Sequence, residues 1–302
     1  MNDMKFTNIL GLPAVYVDWL VNDDYDHNYN PYTISATSLM KPIRGLILSV
    51  RHASELQQDV SNLVASKLGN AVHDSIARVV TPGVIKETRV ERFLSIGNVT
   101  YTITGKFDIL VDNGDETWTL RDIKTTSVWA YIFGGKDEDY RAQLSIYRWL
   151  LSPNKKVNDI SYIDFFFTDW STAKAKHDSQ YPKQRLYPGH QIKLLSLQET
   201  EAYILSRLIQ LEDSKNIPDN DLPYCTSEEL WAEPEVFAVM KEGAKKATKL
   251  CDSMVEAVEY MRIKKVAGYI ERRAPKVKRC SYCSAAPMCS QREELEKDGL
   301  LT

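Results

Sequence analysis

The 302-residue sequence has little net charge, few cysteines and no long apolar run. A balance of −3 excludes a globally basic protein that coats nucleic acid, so any phosphate-binding face must come from local clustering. No stretch approaches the roughly 20 apolar residues of a membrane span, which gives the expectation of no membrane partner. The start, MNDMKFTNILGLP, has no basic region leading into an apolar stretch and cleavage site. Five cysteines, three of them crowded at Cys280, Cys283 and Cys289, do not resemble a secreted disulfide framework. The expected compartment is a reducing cytoplasm. The chain also lacks G-x-S-x-G and the phosphate-cradling G-x-x-x-x-G-K-[ST], so neither a serine-nucleophile elbow nor an ATP-driven step is expected.

What is present is an ordinary globular composition, 43% hydrophobic and 26% charged, with no repeats. Residues 1–34, with NDDYDHNYNPY, read as an irregular arm. Ser35 can cap a helix running through ATSLMKPIRGLILSV, with a kink or restart at Pro42. Val60, Leu63, Val64, Leu68, Val72 and Ile76 give helical spacing over about 55–79. Three strand-like runs follow, VIKETRVERFLSI, VTYTITGKFDILV and ETWTLRDIKTT, the last two joined by the turn DNGD. A helix over 137–151 and an apolar strand ISYIDFFFTDW come next, then a short strand QIKLL and a mostly helical remainder. This order predicts an α/β protein in which a mixed central sheet is flanked by helices. The expected organisation is one domain over 1–302, with a core at 35–170 and a helical extension at 171–302.

Asp122 and Lys124 lie two residues apart on a strand and so emerge on one face. Asp108 lies on the preceding strand, and a hairpin across DNGD brings the two carboxylates together. Paired carboxylates repel unless a cation neutralises them, which suits a hard divalent ion. Lys124 cannot bind such an ion, but it can orient water and stabilise charge on a phosphate. His73 sits on the helix before the strands, and Gln143 and Tyr147 share one face of the helix after them.

In order, Gly69 to His73 (G-x-x-x-H), Gly105 to Asp108 (G-x-x-D), Asp122-Ile123-Lys124 and Gln143 to Tyr147 (QLSIY) resemble the PD-(D/E)XK nuclease superfamily, in particular its RecB-like branch. That branch includes phage recombination exonucleases and CRISPR-associated exonucleases. The resemblance implies a restriction-endonuclease-like core and Mg2+- or Mn2+-dependent hydrolysis of DNA by an exonuclease. An endonuclease, or a DNA-binding subunit with a vestigial centre, are the alternatives. It implies metal ligation by His73, Asp108, Asp122 and the Ile123 main-chain carbonyl, with Glu91 as a further acid. It implies that Lys124 holds the attacking water and that Gln143 and Tyr147 position the strand. A recombination partner, such as a single-strand annealing or binding protein, is implied by the same analogy.

Two further features point to ligands. Met261 to Arg279 holds Arg262, Lys264, Lys265, Arg272, Arg273, Lys276, Lys278 and Arg279 against Glu271 alone, a candidate phosphate-contacting face. Tyr25, Tyr29 and Tyr32 offer rings to bases. Cys280, Cys283 and Cys289 resemble the C-terminal iron–sulfur ligands of the branch, whose fourth cysteine precedes an N-terminal proline. Lys41 stands at that place, so either Cys225, His52 or His27 completes an iron–sulfur or zinc site, or the triad is a metal-free relic.

Overall fold

The computed structural model describes residues 5–22 and 30–301. Its strands are β1 (Lys5–Thr7), β2 (Thr33–Ser35), β3 (Gln57–Asp59), β4 (Val84–Ile96), β5 (Val99–Asp112), β6 (Thr117–Thr126), β7 (Lys156–Val157), β8 (Ile160–Phe167), β9 (Leu186–Lys193), β10 (Ala232–Glu233), β11 (Val236–Lys241), β12 (Lys249–Cys251), β13 (Gly268–Arg273) and β14 (Lys276–Val277). Its helices are α1 (Ala14–Val21), α2 (Ala36–Leu39), α3 (Ile43–Arg51), α4 (Val64–Ala77), α5 (Val128–Ile132), α6 (Asp137–Leu151), α7 (Thr172–His177), α8 (Leu197–Ser214), α9 (Met254–Lys264) and α10 (Ser290–Lys297). No described helix is long and apolar enough to cross a membrane. The chain divides into two compact units, 5–41 with 57–213, and 42–56 with 214–302.

The larger unit is built on a mixed sheet in which β2, β5, β6, β8 and β9 lie in that order, with β4 also paired to β5 and β7 to β6. The antiparallel β4–β5–β6 meander agrees with the strands read from the sequence. At its turn, Gly114 adopts a left-handed φ of 79°, and its amide donates to Asp112 Oδ1 at 2.9 Å. β6 then runs parallel to β8, from Arg121 opposite Tyr162 to Thr126 opposite Phe167. Arg121 reaches across with a two-point ion pair to Asp164 (2.8 and 2.6 Å), and the Gly189 amide of β9 donates to the same carboxylate. That shared carboxylate ties β6, β8 and β9 together. The core behind the sheet is formed by Tyr101, Ile103, Phe107 and Leu110 of β5 and by Leu144, Ile146, Trp149 and Leu150 of α6.

Several expectations need correction. The 1–34 arm is not irregular throughout: β1 pairs in parallel with β3, α1 follows Pro13, and β2 pairs with β5. AVYVDWLV has no polar stripe, so α1 carries no amphipathic signature to read. The 55–79 helix begins only at Val64, because Gln57–Asp59 are taken up as the strand beside β1. Ser35 does cap a short helix, accepting from the Ser38 amide, and Pro42 does restart the chain into α3. The 171–302 extension is not mostly helical. In the smaller unit β11 is flanked by β12 and β13 in an antiparallel sheet, with Val239, Cys251 and Ala257 at its core.

Gly105 shows why its motif needs glycine. A Cβ there would meet the Tyr147 ring at 2.7 Å and Leu150 at 2.9 Å, whereas one on Gly69 meets nothing within 4 Å. Gly105→Ala is therefore expected to destabilise the protein by about 1–3 kcal/mol through overpacking, read as a lowered melting temperature. Gly69→Ala, in the interior of α4, should melt at or above the parent temperature.

Candidate active site

The site forms where the meander opens. The β5–β6 ladder ends at Ile109 opposite Arg121. One step further, Asp108 and Asp122 face each other without backbone pairing, and the Ile123 amide donates instead to Asp108 Oδ2 at 2.7 Å. The β4–β5 ladder is interrupted at the same level: Lys86 pairs with Ile109 and Thr88 with Phe107, while Glu87 between them takes a left-handed φ of 46°. A bulky L residue adopts that backbone only where its surroundings impose it.

The result is a trio of hard donors. His73 of α4, Glu87 of β4 and Asp108 of β5 each offer one ligand atom, all within 4.8 Å of one another. His73 Nδ1 lies 3.0 Å from Glu87 Oε1 and 3.5 Å from Asp108 Oδ1, and Lys106 Nζ lies 2.7 Å from Glu87 Oε2. Glu91, the acid expected from the sequence, is exposed and outside the trio. The left-handed residue at Glu87 re-aims that side chain, which regular strand alternation does not anticipate.

Beside the trio, Asp122 is 2% exposed. Lys124 Nζ lies 2.7 Å from its Oδ2 in a largely buried ion pair. Lys124 also donates to Gln143 Oε1 (3.0 Å), and Gln143 Nε2 donates to Tyr147 Oη (3.0 Å). Asp108, Asp122, Lys124, Gln143 and Tyr147 thus converge as the sequence pattern requires. A buried carboxylate next to three N and O ligand atoms within 4.8 Å of one another fits a hard divalent cation.

The electrostatics agree. Burial pushes Asp122 up to about 6, with Lys124 opposing and Asp108 adding to the shift. Burial acts to lower His73, but hydrogen bonds and charge from Asp108 and Glu87 outweigh it and raise the imidazole to about 10. Burial likewise acts to lower Lys124, and Asp122 outweighs it, so the ammonium stays charged.

In the smaller unit Cys225, Cys280, Cys283 and Cys289 share one neighbourhood. Burial pushes the Cys225 thiol up to about 12, helped by Glu229 and by the other three cysteines. Gln291 pins Cys225 through both its amide and its carbonyl (2.8 and 2.9 Å). The buried Arg44 donates to Cys289 Sγ (3.2 Å), Leu222 O (2.5 Å) and Ser290 Oγ (2.7 Å). No three of the four cysteines bring their sulfurs within 4.8 Å of one another. His52 is not among them: its two ring nitrogens meet Asp219 (2.6 Å) and Glu55 (2.7 Å), hydrogen bonds that raise its pKa above the ordinary value. His27, Tyr25 and Tyr29 lie outside the described residues, and Tyr32 packs edge-on against Tyr101.

The basic run does not form one open face. Arg262, Lys264 and Lys265 end α9, Arg272 and Arg273 lie on β13, and Lys276, Lys278 and Arg279 follow. Glutamates partner several of them: Arg272 with Glu235 (2.6 Å), Arg273 with Glu271 (3.3 Å), Lys278 with Glu233, and Arg262 with Glu259 (4.0 Å). Arg279 lies over the Trp231 ring. The sequence window counted only Glu271; the other three acids come from outside it or from an earlier turn of the helix.

The fold and this constellation define a metal-dependent nuclease. The family description "PD-(D/E)XK nuclease superfamily" matches residues 47–290, and the chain belongs to that superfamily. Its members use divalent metals such as Mg2+ or Mn2+ and act on nucleic acid, which makes DNA the implied substrate. No curated protein matches the chain. Among solved structures, one described as "Crystal structure of SSO0001" is similar at 19% identity, over 68% of this chain and 86% of its own, with a TM-score of 0.45.

A bound metal requires neutral imidazole and ionised carboxylates, so it must displace the His73 proton. Titration with Mn2+ near pH 7.5 should release about one proton per ion. Apparent affinity should strengthen as pH rises from 6 to 8, and the ion should raise the melting temperature by relieving the Asp122 charge. Without metal the sign at His73 is opposite: its raised pKa contributes stability that is present below pH 6.5 and lost as pH rises through about 10. Pairing proton release with melting curves separates the two.

Proposed function

We propose that the protein is a Mg2+- or Mn2+-dependent DNA exonuclease of the RecB-like branch, acting in DNA recombination or repair. The observation that carries this reading is the unbroken line Asp122, Lys124, Gln143, Tyr147 beside His73, Glu87 and Asp108. In this reading His73, Glu87 and Asp108 hold the ion, with Asp122 and the Ile123 carbonyl completing the set. When bound, the ion supplies Lewis acidity toward water and phosphate oxygen. Lys124, still an ammonium at neutral pH, is not the base; it orients the attacking water and meets charge developing on the phosphate. Gln143 fixes the Lys124 side chain and Tyr147 fixes Gln143, so α6 sets the position of the cation. Lys264, Lys265 and Lys276, which have no glutamate partner of the kind that holds Arg272, are the first candidates for phosphate contacts in the smaller unit.

Mg2+-dependent loss of an end label from linear DNA, with closed circular DNA spared, is the expected activity. Lys124→Ala should slow hydrolysis about a hundredfold or more while DNA is still bound. Undiminished hydrolysis by Lys124→Ala removes the assignment, and cutting of closed circles makes the enzyme an endonuclease instead.

For the smaller unit we assign a structural metal to Cys225, Cys280, Cys283 and Cys289, with Cys225 serving where the branch uses an N-terminal cysteine. A tetrahedral zinc with Zn–S of about 2.3 Å holds sulfurs about 3.8 Å apart. An iron–sulfur cluster is the other metal group that four cysteines hold. Protein purified without oxygen should contain iron and show a broad visible band. Cys225→Ser should lose both and melt earlier, while its folded fraction keeps Mg2+-dependent activity. Absence of iron and zinc, with unchanged melting of Cys225→Ser, overturns the assignment.

A further inference from the structure

We propose that Trp129 and Phe133 form a platform on which unpaired bases of the substrate stack as the strand enters the active site. The proposal rests on the nuclease reading and specifies its substrate class as nucleic acid with a single-stranded segment. Their rings are parallel to within 21° at 5.7 Å, yet Trp129 is 40% and Phe133 79% exposed. Lone exposed apolar side chains are common, but a stacked aromatic pair left in water is not what hydrophobic burial favours. Trp129 is the held member of the pair and Phe133 the exposed one. The Trp129 ring meets the buried Tyr181 edge-on at 6.3 Å, and Lys174 Nζ lies 4.7 Å from its centroid.

Location connects the pair to the chemistry. Trp129 is five residues beyond Lys124, so the two Cα atoms lie within about 17 Å even if that segment were fully extended. The segment from Thr125 to Lys136 joins β6, which carries Asp122 and Lys124, to α6, which carries Gln143 and Tyr147. Gly134 and Gly135 follow Phe133 with left-handed φ of 63° and 88°, and an added Cβ on either would meet nothing within 4 Å. The backbone after Phe133 is therefore uncrowded, and the Phe133 ring itself is 79% exposed.

The chemistry selects the occupant. A flat, solvent-facing aromatic surface accepts any base by its π-face, and the Lys174 ammonium above the indole offers charge to the adjoining phosphate. The carboxylates that follow are mostly engaged: Asp137 with His190 at 3.0 Å and Glu138 with Arg141 at 3.2 Å. A blunt duplex keeps its bases stacked on each other and leaves only the outer face of its terminal pair.

The test compares binding of three fluorescent probes in the slow Lys124→Ala background: a single-stranded oligonucleotide, the same strand made abasic, and a blunt duplex. Trp129→Ala and Phe133→Ala should each weaken binding of the normal strand about tenfold. Neither should alter affinity for the abasic strand or the duplex, and Trp129→Phe should retain most of the affinity. Equal losses on normal and abasic strands, or no loss on the normal strand, overturn the platform; in the second case the pair is left to a protein partner. Phe133→Ala removes a nearly fully exposed ring, so a folding defect in Trp129→Ala cannot mask the answer. If the parent chain hydrolyses DNA while both alanine variants bind normally, the nuclease reading stands and the platform falls. If the parent chain neither binds nor cleaves DNA, both fall.

Discussion

The hydrogen bond from the Ile123 amide to Asp108 Oδ2 is the contact on which the active site depends. A backbone amide in the interior of a sheet must find an acceptor, and in a regular ladder that acceptor would be a carbonyl of β5. Here the ladder stops at Ile109 and Arg121, and a side-chain carboxylate takes the amide. The strands can then part while the Ile123 amide stays satisfied. Asp108 spends one oxygen on this structural duty and keeps the other facing His73. One residue therefore both opens the sheet and presents a ligand.

The remaining features follow from that opening. The left-handed Glu87 on the other side of β5 brings a second carboxylate to the same level, and His73 of α4 closes the trio. Asp122 is left buried in a cluster of like charge, which is why its carboxyl is raised and why Lys124 is held beside it. Three cations, Lys106 at Glu87, the His73 imidazolium between Glu87 and Asp108, and Lys124 at Asp122, face the three carboxylates. A site so arranged is poised for a divalent ion because binding one relieves repulsion that the fold otherwise has to tolerate.

Much of this is legible in the sequence because it is local. Alternation marks β4 to β6, helical spacing marks α6, and D-x-K with Gln143 and Tyr147 depends only on strand and helix periodicity. Gly105 is readable as a motif, but its reason, the Tyr147 ring against its Cα, needs the packed structure. The failures are those periodicity cannot reach. A single left-handed residue brings Glu87, rather than the exposed Glu91, beside His73 and Asp108. β11 to β13 form through long-range pairing that a helix-like composition conceals. The basic run looks like an open patch only until Glu233, Glu235 and Glu259 are folded against it. His52 has the chemistry of a ligand, and only folding brings Asp219, far along the chain, to its second nitrogen.

The choice between Glu87 and Glu91 is the most direct measurement, since a regular strand would favour the second and the opened ladder favours the first. Calorimetric Mn2+ binding and Mg2+-dependent DNA hydrolysis should be compared for Glu87→Gln and Glu91→Gln. The geometry predicts that Glu87→Gln loses metal affinity and hydrolysis together, while Glu91→Gln, altering an exposed strand residue, keeps both near the parent level. Full metal binding and activity in Glu87→Gln, with their loss in Glu91→Gln, would contradict it.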